Sequence, residues 1–518
     1  MNRIPPEALE RPDKKLADRL IRAYFDNVNR GWPIVDEDWF MHQNEGRNPR
    51  NPVPLALLNA VFLVGAHVLS AQDGSMRQMQ KLFFYRAKTL VDYRLEQDRV
   101  MYVQVALLLT WYSDGLEEVV ANAWYWIGIA TRTAFGISMN RDITHSRMQS
   151  VHKRVYTRLW WVLFQFDTIA SASCGRPQVI NVDDSDVPEL KHSDFKGIPE
   201  AAADFTIHQT KLCLIISRTM REGWALRSSP ERRIQAVKNA DEALAQLLTD
   251  LPPKLSLSVV HLDTWRSILH LTYNNFVILL HRAPPRHSTR DRASVVCSDP
   301  SLCGGAADAI GSIFDALLNR GELCTMWLYS NHVLFTAIVH VGGELDSANP
   351  LVAARSQRVF ESLLSALRGL SRYRRYAQGL LQLFEQRALR VKKSQVRAGG
   401  SNLRPSVWAS EAHFIQHPTT TSTWSDLNDH MQARLATSPL GMDLTDERPS
   451  FDAEPSQIDD TECYWGSRHE PPMGKSRTDS EQGRLNPSGD GVLDDLFFLD
   501  ESALNFFLGE ADDQPLGL

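Results

Sequence analysis

Residues 152–190 read HKRVYTRLWWVLFQFDTIASASCGRPQVINVDDSDVPEL. In the first half, apolar residues recur three and four positions apart, which predicts one buried helix; they are Val155, Leu159, Val162, Phe166 and Ile169. Trp160 and Trp161 widen this apolar face, so we expect protein to cover the helix on more than one side. Gly175 and Pro177 predict its end, because glycine accepts a left-handed backbone and proline cannot continue the hydrogen-bond ladder. The stretch therefore predicts a core helix with an acidic exit loop.

The same residues resemble the signature of the fungal-specific transcription factor domain, the helical regulatory region downstream of the binuclear zinc cluster in many fungal regulators. The resemblance consists of RLWWVLFQFD at 158–167, CGRP at 174–177 and VDDSDVP at 182–188. The matching positions are Arg158, Leu159, Trp160, Trp161, Asp167, Gly175, Arg176, Pro177, Asp183, Asp186, Val187 and Pro188. Residues 24–40 and 121–142 resemble the same family. The resemblance implies an all-α regulatory domain and identifies no catalytic site.

Composition divides the chain into four parts. We expect an N-terminal extension at 1–15, a large multi-helix domain at 16–395, a disordered linker at 396–489 and an acidic-hydrophobic segment at 490–518. The apolar fraction of 43% is ample for a core, and no alternating strand pattern of useful length occurs. After about residue 395, Ser, Thr, Pro, Gly and charged residues dominate, which is typical of chains that cannot bury a core. The sequence thus predicts an all-α fold with a disordered C-terminal region.

Charge, cysteine usage and motifs limit the function. A net charge of −6 provides no overall basic surface for nucleic acid. The six cysteines are scattered without a CxxC pair, which is typical of a reducing compartment and leaves no legible zinc site. No metalloprotease, nucleophile-elbow or phosphate-loop motif is found, so no enzyme and no catalytic residue are predicted. The apolar stretch 55–71 is expected to be a buried helix rather than a membrane span.

Arg176 has two interpretations. A buried guanidinium needs a carboxylate partner, and its fork suits Asp167 or the acidic loop at 183–186. The alternative is that Arg176 belongs to a pocket for an anionic inducer. We favour the ion pair.

The segment at 490–518 carries the clearest functional signal that is independent of the resemblance. It contains eight acidic residues, four phenylalanines and no lysine or arginine, a mixture typical of activation domains. On binding a coactivator it is expected to form a short helix in an apolar groove. The expected anchors are Leu493, Leu496, Phe497, Phe498, Phe506 and Phe507. The alternative is that the segment docks onto the helical domain as a final helix.

The resemblance implies a nuclear, pathway-specific transcription regulator. Residues 124–188 resemble the lipid- and cutin-responsive branch of the family more than the sugar-responsive branch. We therefore expect an activator of a secondary-metabolite gene cluster or of a lipid or carbon utilisation pathway. The implied partners are the transcription machinery or a coactivator, together with a small-molecule inducer.

Members of this family contact DNA through a zinc cluster that requires six closely spaced cysteines, a basic stretch and a dimerising coil. None of these precedes residue 16, so no zinc ligand and no DNA-contacting residue is assigned in this chain. The alternative function is a helical ligand-sensing co-regulator that acts through a DNA-bound partner regulator. No membrane association is expected.

Overall fold

A computed structural model describes residues 4–46, 52–112, 122–257, 263–282 and 297–385, apart from positions 346, 373 and 375. Within these ranges all regular structure is helical and no strand occurs, which confirms the predicted all-α fold for them. The predicted linker at 396–489 and the segment at 490–518 lie outside the described residues. So do the expected activation anchors, which are Leu493, Leu496, Phe497, Phe498, Phe506 and Phe507. The domain boundaries remain predictions.

The helices of the described ranges are joined by turns and loops of different lengths. In chain order they are α1 (Pro6–Leu9), α2 (Lys14–Tyr24), α3 (Glu37–Asn44), α4 (Leu55–Leu69), α5 (Met76–Asp92), α6 (Arg99–Leu109), α7 (Ala123–Gly136), α8 (Ser150–Cys174), α9 (Glu200–Glu222), α10 (Pro230–Thr249), α11 (Thr264–His281), α12 (Pro300–Arg320), α13 (Tyr329–Glu344) and α14 (Pro350–Ser371). A π-helical turn, Phe25–Asn29, extends α2, and residues 376–385 are also helical. The predicted core helix is α8.

Short polar side chains cap the N-termini of many of these helices. Each accepts a hydrogen bond from a backbone N–H of the first turn; examples are Asp13, Asp36, Asp98, Asn122 and Asp263. Such caps satisfy donors that have no partner within the helix. Proline occupies the first turn of α10, α12 and α14, where its missing N–H is not needed. The helix starts are therefore encoded locally.

Helices α2 and α4 approach each other most closely at Gly65. A Cβ atom at this position would fall against the backbone carbonyl of Leu20 in α2. Only glycine allows the two helices to come this near. Helix α4 is buried on all sides from Ala56 to Val68, which confirms the buried helix predicted at 55–71.

One helix among the described residues, α12, is long and apolar enough to cross a membrane by length and composition alone. Half of its most apolar window is buried inside the protein. Core helices of large helical proteins meet the same criteria, so this property is weak evidence for a membrane span.

Trp32 forms the aromatic centre of the fold. Five rings meet it edge-on, with centroid separations between 5.5 and 6.5 Å; they belong to Trp111, Phe166, Phe205, Trp265 and Trp327. These rings come from α8, α9, α11 and the segments after α6 and before α13. Edge-to-face pairs contribute about 0.5–1.5 kcal/mol each beyond their buried area. The turn that follows α2 is therefore fixed by helices distant in sequence.

A buried polar cluster joins α4 to the chain after α14. Arg374 donates hydrogen bonds to the carbonyls of Met326 and Trp327. It also donates to Ser330 Oγ at 2.8 Å and to His67 Nε2 at 3.1 Å. Burial and the neighbouring Arg374 charge lower the pKa of His67 to about 3. The imidazole therefore stays neutral, and its Nε2 accepts from the guanidinium.

Candidate functional site

The signature residues lie along α8 and in the loop that follows it. Gly175 adopts a φ of 60°, in the left-handed region that side chains with a Cβ rarely enter. The N–H of Arg176 donates to the Ser171 carbonyl at 3.0 Å and closes the last turn. Pro177, which has no N–H, then continues the chain outside the helix. The loop reverses direction here and returns along α8.

Asp167 holds the returning loop against α8. Its Oδ2 accepts the N–H of Val179 at 3.0 Å and the N–H of Ile180 at 2.7 Å. The side chain is fully buried, and burial raises the pKa of Asp167 to about 7 although these amides lower it. At neutral pH the carboxyl is therefore protonated in a large fraction of molecules.

The two signature tryptophans provide packing and attachment. Trp160 is buried, and its ring meets Phe135 edge-on at 5.7 Å, which joins α8 to α7. Trp161 is also buried, and its Nε1 donates to the Pro188 carbonyl at 2.8 Å. Both side chains lie in the core, where the apolar spacing of the sequence places them.

Arg158 joins three segments of the chain. Its side chain is only 3% exposed. The guanidinium donates to the Asp194 carbonyl at 2.8 Å and to Asp36 Oδ2 at 3.3 Å. The other oxygen of Asp36 accepts the N–H of Trp39 at 3.0 Å and begins α3. Because a buried guanidinium requires such partners, Arg158 fixes the start of α3 and the loop after α8 against the core helix.

Two of the family-like motifs meet at residues 140–142 and 184–186, a contact that we term the loop clamp. Asp186 pairs with Arg141 at 2.9 Å and accepts the N–H of Asp142 at 2.6 Å. Asn140 Nδ2 donates to the Asp184 carbonyl at 2.8 Å, and the Asn140 carbonyl accepts the Asp186 N–H at 3.2 Å. The Asp142 amide and then Arg141 hold the pKa of Asp186 below its ordinary range. The clamp is exposed, so its role is to set loop geometry more than to supply stability.

The structure places Arg176 against an aromatic ring, and its ion pair with Asp167 or the acidic loop stays a prediction. Its guanidinium packs over the ring of Trp124, 5.0 Å from the centroid, in a cation–π contact. The expected carboxylate partners have other contacts: Asp167 binds backbone amides, and the acidic loop pairs with Arg141 and Arg221. Arg176 is not among the residues that line the cleft described next, and the alternative inducer pocket also stays a prediction.

A surface cleft of about 380 Å³ lies where α2, α4 and α12 meet. Three arginines line it, Arg19, Arg22 and Arg320, together with one acid, Glu322. The sequence reasoning missed this site because its residues come from segments far apart in the chain. The only local signal was the pair of arginines on the polar face of the amphipathic helix α2.

The described residues do not fit the zinc that the resemblance implies for the family. No group of three or more His, Cys, Asp or Glu side chains within the described ranges could hold a metal ion. Cys213, Cys303 and Cys324 are buried thiols on separate elements. Burial raises the pKa of Cys303 to about 12, whereas zinc binds cysteine as the thiolate.

The fold and these contacts define a large helical domain in which three family-like motifs converge on one core helix. This is the architecture expected of a fungal regulator. Residues 21–273 match the family model described as the fungal specific transcription factor domain, and through them the chain belongs to that family.

Curated relatives agree with this assignment. The chain is 43% identical to the acetamidase regulatory protein of Aspergillus fumigatus, over 77% of this chain and 52% of that protein. It is 45% identical to the acetamidase regulatory protein of Emericella nidulans, over 73% of this chain and 48% of that protein. Cutinase transcription factor 1 alpha of Fusarium vanettenii is 32% identical to the chain, over 72% of this chain and 43% of that protein. The chain thus spans about half the length of the relatives it matches.

Proposed function

We propose that this chain is the regulatory and activating part of a nuclear, pathway-specific transcription regulator, with no catalytic role of its own. Its target genes are proposed to serve the use of an amide or a related carbon or nitrogen source. The observation that carries this proposal is the 43–45% identity to two acetamidase regulatory proteins across about three quarters of the chain. The lower identity of 32% to the cutinase factor makes lipid-derived substrates the weaker choice. The relatives lend no support to a secondary-metabolite cluster.

Deletion of the gene in the fungus that encodes it tests the proposed pathway. We expect the acetamidase transcript to lose its induction on acetamide medium, while transcripts for general nitrogen uptake are unchanged. Reintroduction of the intact gene is the control and should restore induction. Normal induction in the deletion strain would exclude amide utilisation as the controlled pathway.

The segment at 490–518 is proposed to recruit a coactivator or the transcription machinery. Its eight acidic residues keep the apolar anchors accessible. Fused to a foreign DNA-binding module, the segment should activate a reporter gene. Joint replacement of Phe497, Phe498, Phe506 and Phe507 by alanine should abolish activation, because large aromatic anchors carry most of such binding energy. The matched control Asp512→Lys should change activation much less, and an inert fusion would favour docking of the segment onto the helical domain.

The second candidate is a co-regulator that reaches DNA through a partner. It is favoured by the net charge of −6, which gives this chain no overall basic surface for DNA. Tight specific binding requires several phosphate contacts as well as base contacts, so purified chain should bind DNA only weakly and with strong salt sensitivity. A gel shift with nanomolar, sequence-specific affinity in physiological salt would exclude partner-mediated binding.

A further inference from the structure

The cleft between α2, α4 and α12 presents two guanidinium groups side by side. Arg19 and Arg22 are three positions apart on α2, and so lie on neighbouring points of its surface. Both are exposed and both line the cleft. The opposite face of α2 is buried through Leu20, Ile21 and Tyr24, which holds the helix in place. Among the residues that the structure describes, neither guanidinium forms a salt bridge.

The acidic groups at the cleft have their main contacts with residues other than Arg19 and Arg22. Glu322, the acid in its lining, pairs with Arg320 at 3.0 Å. The nearby Asp73 has its pKa lowered mainly by hydrogen bonds from Ser75, with Arg19 as the smallest contribution. Asp73 is therefore close enough to interact with Arg19, but among the described residues it forms no salt bridge with either α2 arginine.

The helix ends that border the cleft do not cancel the positive charge of the two α2 arginines. Helices α4 and α12 end there, and uncapped carbonyls at such ends would favour cations. The Leu69 carbonyl, however, accepts the N–H groups of Gln72 and Asp73 at 3.0 and 3.1 Å. At the end of α12, Gly321 adopts a φ of 70° and lets the Glu322 N–H reach the Leu317 carbonyl at 3.0 Å. These contacts satisfy the Leu69 and Leu317 carbonyls within the chain.

The remaining lining suits a small organic molecule. Val68 and Leu69 provide an apolar wall, while Asn27, Gln72 and Thr325 provide neutral polar groups. The volume of about 380 Å³ falls within the range of about 300–1,000 Å³ found for small-molecule sites. A guanidinium fork matches a carboxylate with two parallel hydrogen bonds.

We propose that this cleft binds a small organic acid anion, and that Arg19 and Arg22 receive its carboxylate. The segments that form it are far apart in the sequence, so a bound anion joins α2 to the turn after α12. Binding to the folded state alone raises the free energy of unfolding by RT ln(1 + L/Kd) at free ligand concentration L, so the melting temperature rises with the logarithm of ligand concentration above Kd. The binding itself is independent of the proposed function, and only its use as a signal rests on the regulator role.

Thermal unfolding of the full chain tests the proposal. Acetate, succinate and citrate are titrated at constant ionic strength, with chloride as the salt control and succinamide as an uncharged analogue of succinate. At least one carboxylate is expected to raise the melting temperature along the curve for binding at one site, while chloride and succinamide leave it unchanged. The Arg19→Gln/Arg22→Gln double variant should weaken the apparent affinity at least tenfold.

Two further variants separate binding from folding. Arg132→Gln removes an exposed arginine of α7 outside the cleft and should bind like the unaltered chain. Arg22→Lys keeps the charge but loses the fork, so its affinity should be intermediate. The proposal is overturned if no carboxylate raises the melting temperature, if chloride gives the same shift, or if the double variant responds as the unaltered chain does. None of these results bears on the transcript test of the proposed pathway.

Discussion

Trp160 fills the space between α7 and α8, with its ring against Phe135. Trp160→Ala should lower the free energy of unfolding by about 3–5 kcal/mol, because the lost contacts leave a cavity in the core. Urea unfolding of the purified protein measures this difference. Trp224→Ala is the matched control, since Trp224 is 37% exposed and should cost clearly less. Equal losses for the two variants would contradict the core role of Trp160.

Asp167 makes stability depend on pH. The folded-state pKa is raised to about 7 by burial, whereas the unfolded chain has a carboxyl pKa of about 3.9. Between these values the folded state holds a proton that the unfolded state has lost, so stability falls as pH rises through this window. Each pKa unit of difference corresponds to about 1.4 kcal/mol.

Asp167→Asn isolates this effect, because its Oδ1 still accepts the amides of Val179 and Ile180 but the side chain cannot ionise. The unaltered protein should lose stability between pH 5 and pH 8, and the variant should lose less. Unfolding free energies of both proteins at the two pH values measure the difference. The same decline in both would assign the pH dependence to other groups.

Local patterns predicted some of these residues and not others. The burial of Trp160 and the left-handed backbone of Gly175 follow from spacing and residue type within a single helix. The contact of Arg176 with Trp124 could not be predicted, because it depends on where the end of α8 meets α7. The cleft beside Arg19 and Arg22 could not be predicted either, because it forms only where α4 and α12 pack against α2. Side-chain partners across elements are set by tertiary geometry, which one sequence does not contain.

The close packing of α2 against α4 can be tested by adding one carbon atom at Gly65. Gly65→Ala would place a Cβ against the backbone of Leu20, which cannot yield as a side chain can. We expect a loss of about 3 kcal/mol, at the upper end of the usual cost of overpacking. Gly128→Ala in α7 is the matched control: a Cβ there meets nothing within 4 Å. It should stabilise by about 0.5–1 kcal/mol through helix propensity. If the melting temperatures of both variants change in the same direction, the result would contradict the α2–α4 contact.

At the scale of elements, α8 and the buried helix α4 could be predicted because periodicity and end signals are local. The loop clamp could not, although both of its motifs were recognised. One of its loops precedes α8 and the other follows it, and the hydrogen bond from Asn140 to the Asp184 carbonyl depends on how α7 packs against that helix. Recognising motifs therefore located the residues of the clamp without revealing that they touch.

The whole molecule combines a helical body with a long acidic C-terminal portion of different composition. The body is organised around Trp32 and α8, and its interior joins residues from α2 to the helical segment at 376–385. The cleft and the loop clamp lie on this body, whereas the proposed activation segment lies beyond it in the chain. A regulator of this design would sense a signal on the body and deliver the response through the segment at 490–518.

Limited proteolysis of the full chain tests the boundary between these parts. Exposed backbone without a packed core is cut first, and residues 396–489 are poor in the aliphatic residues needed for a core. We expect a resistant fragment that contains α1 to α14 and ends between about residues 385 and 395, with its ends assigned by mass spectrometry. In Gly65→Ala the same fragment should form but disappear sooner, because the weakened α2–α4 contact opens the body more often. A resistant fragment that extends beyond residue 450 would contradict the boundary, and would place part of the predicted linker within the folded body.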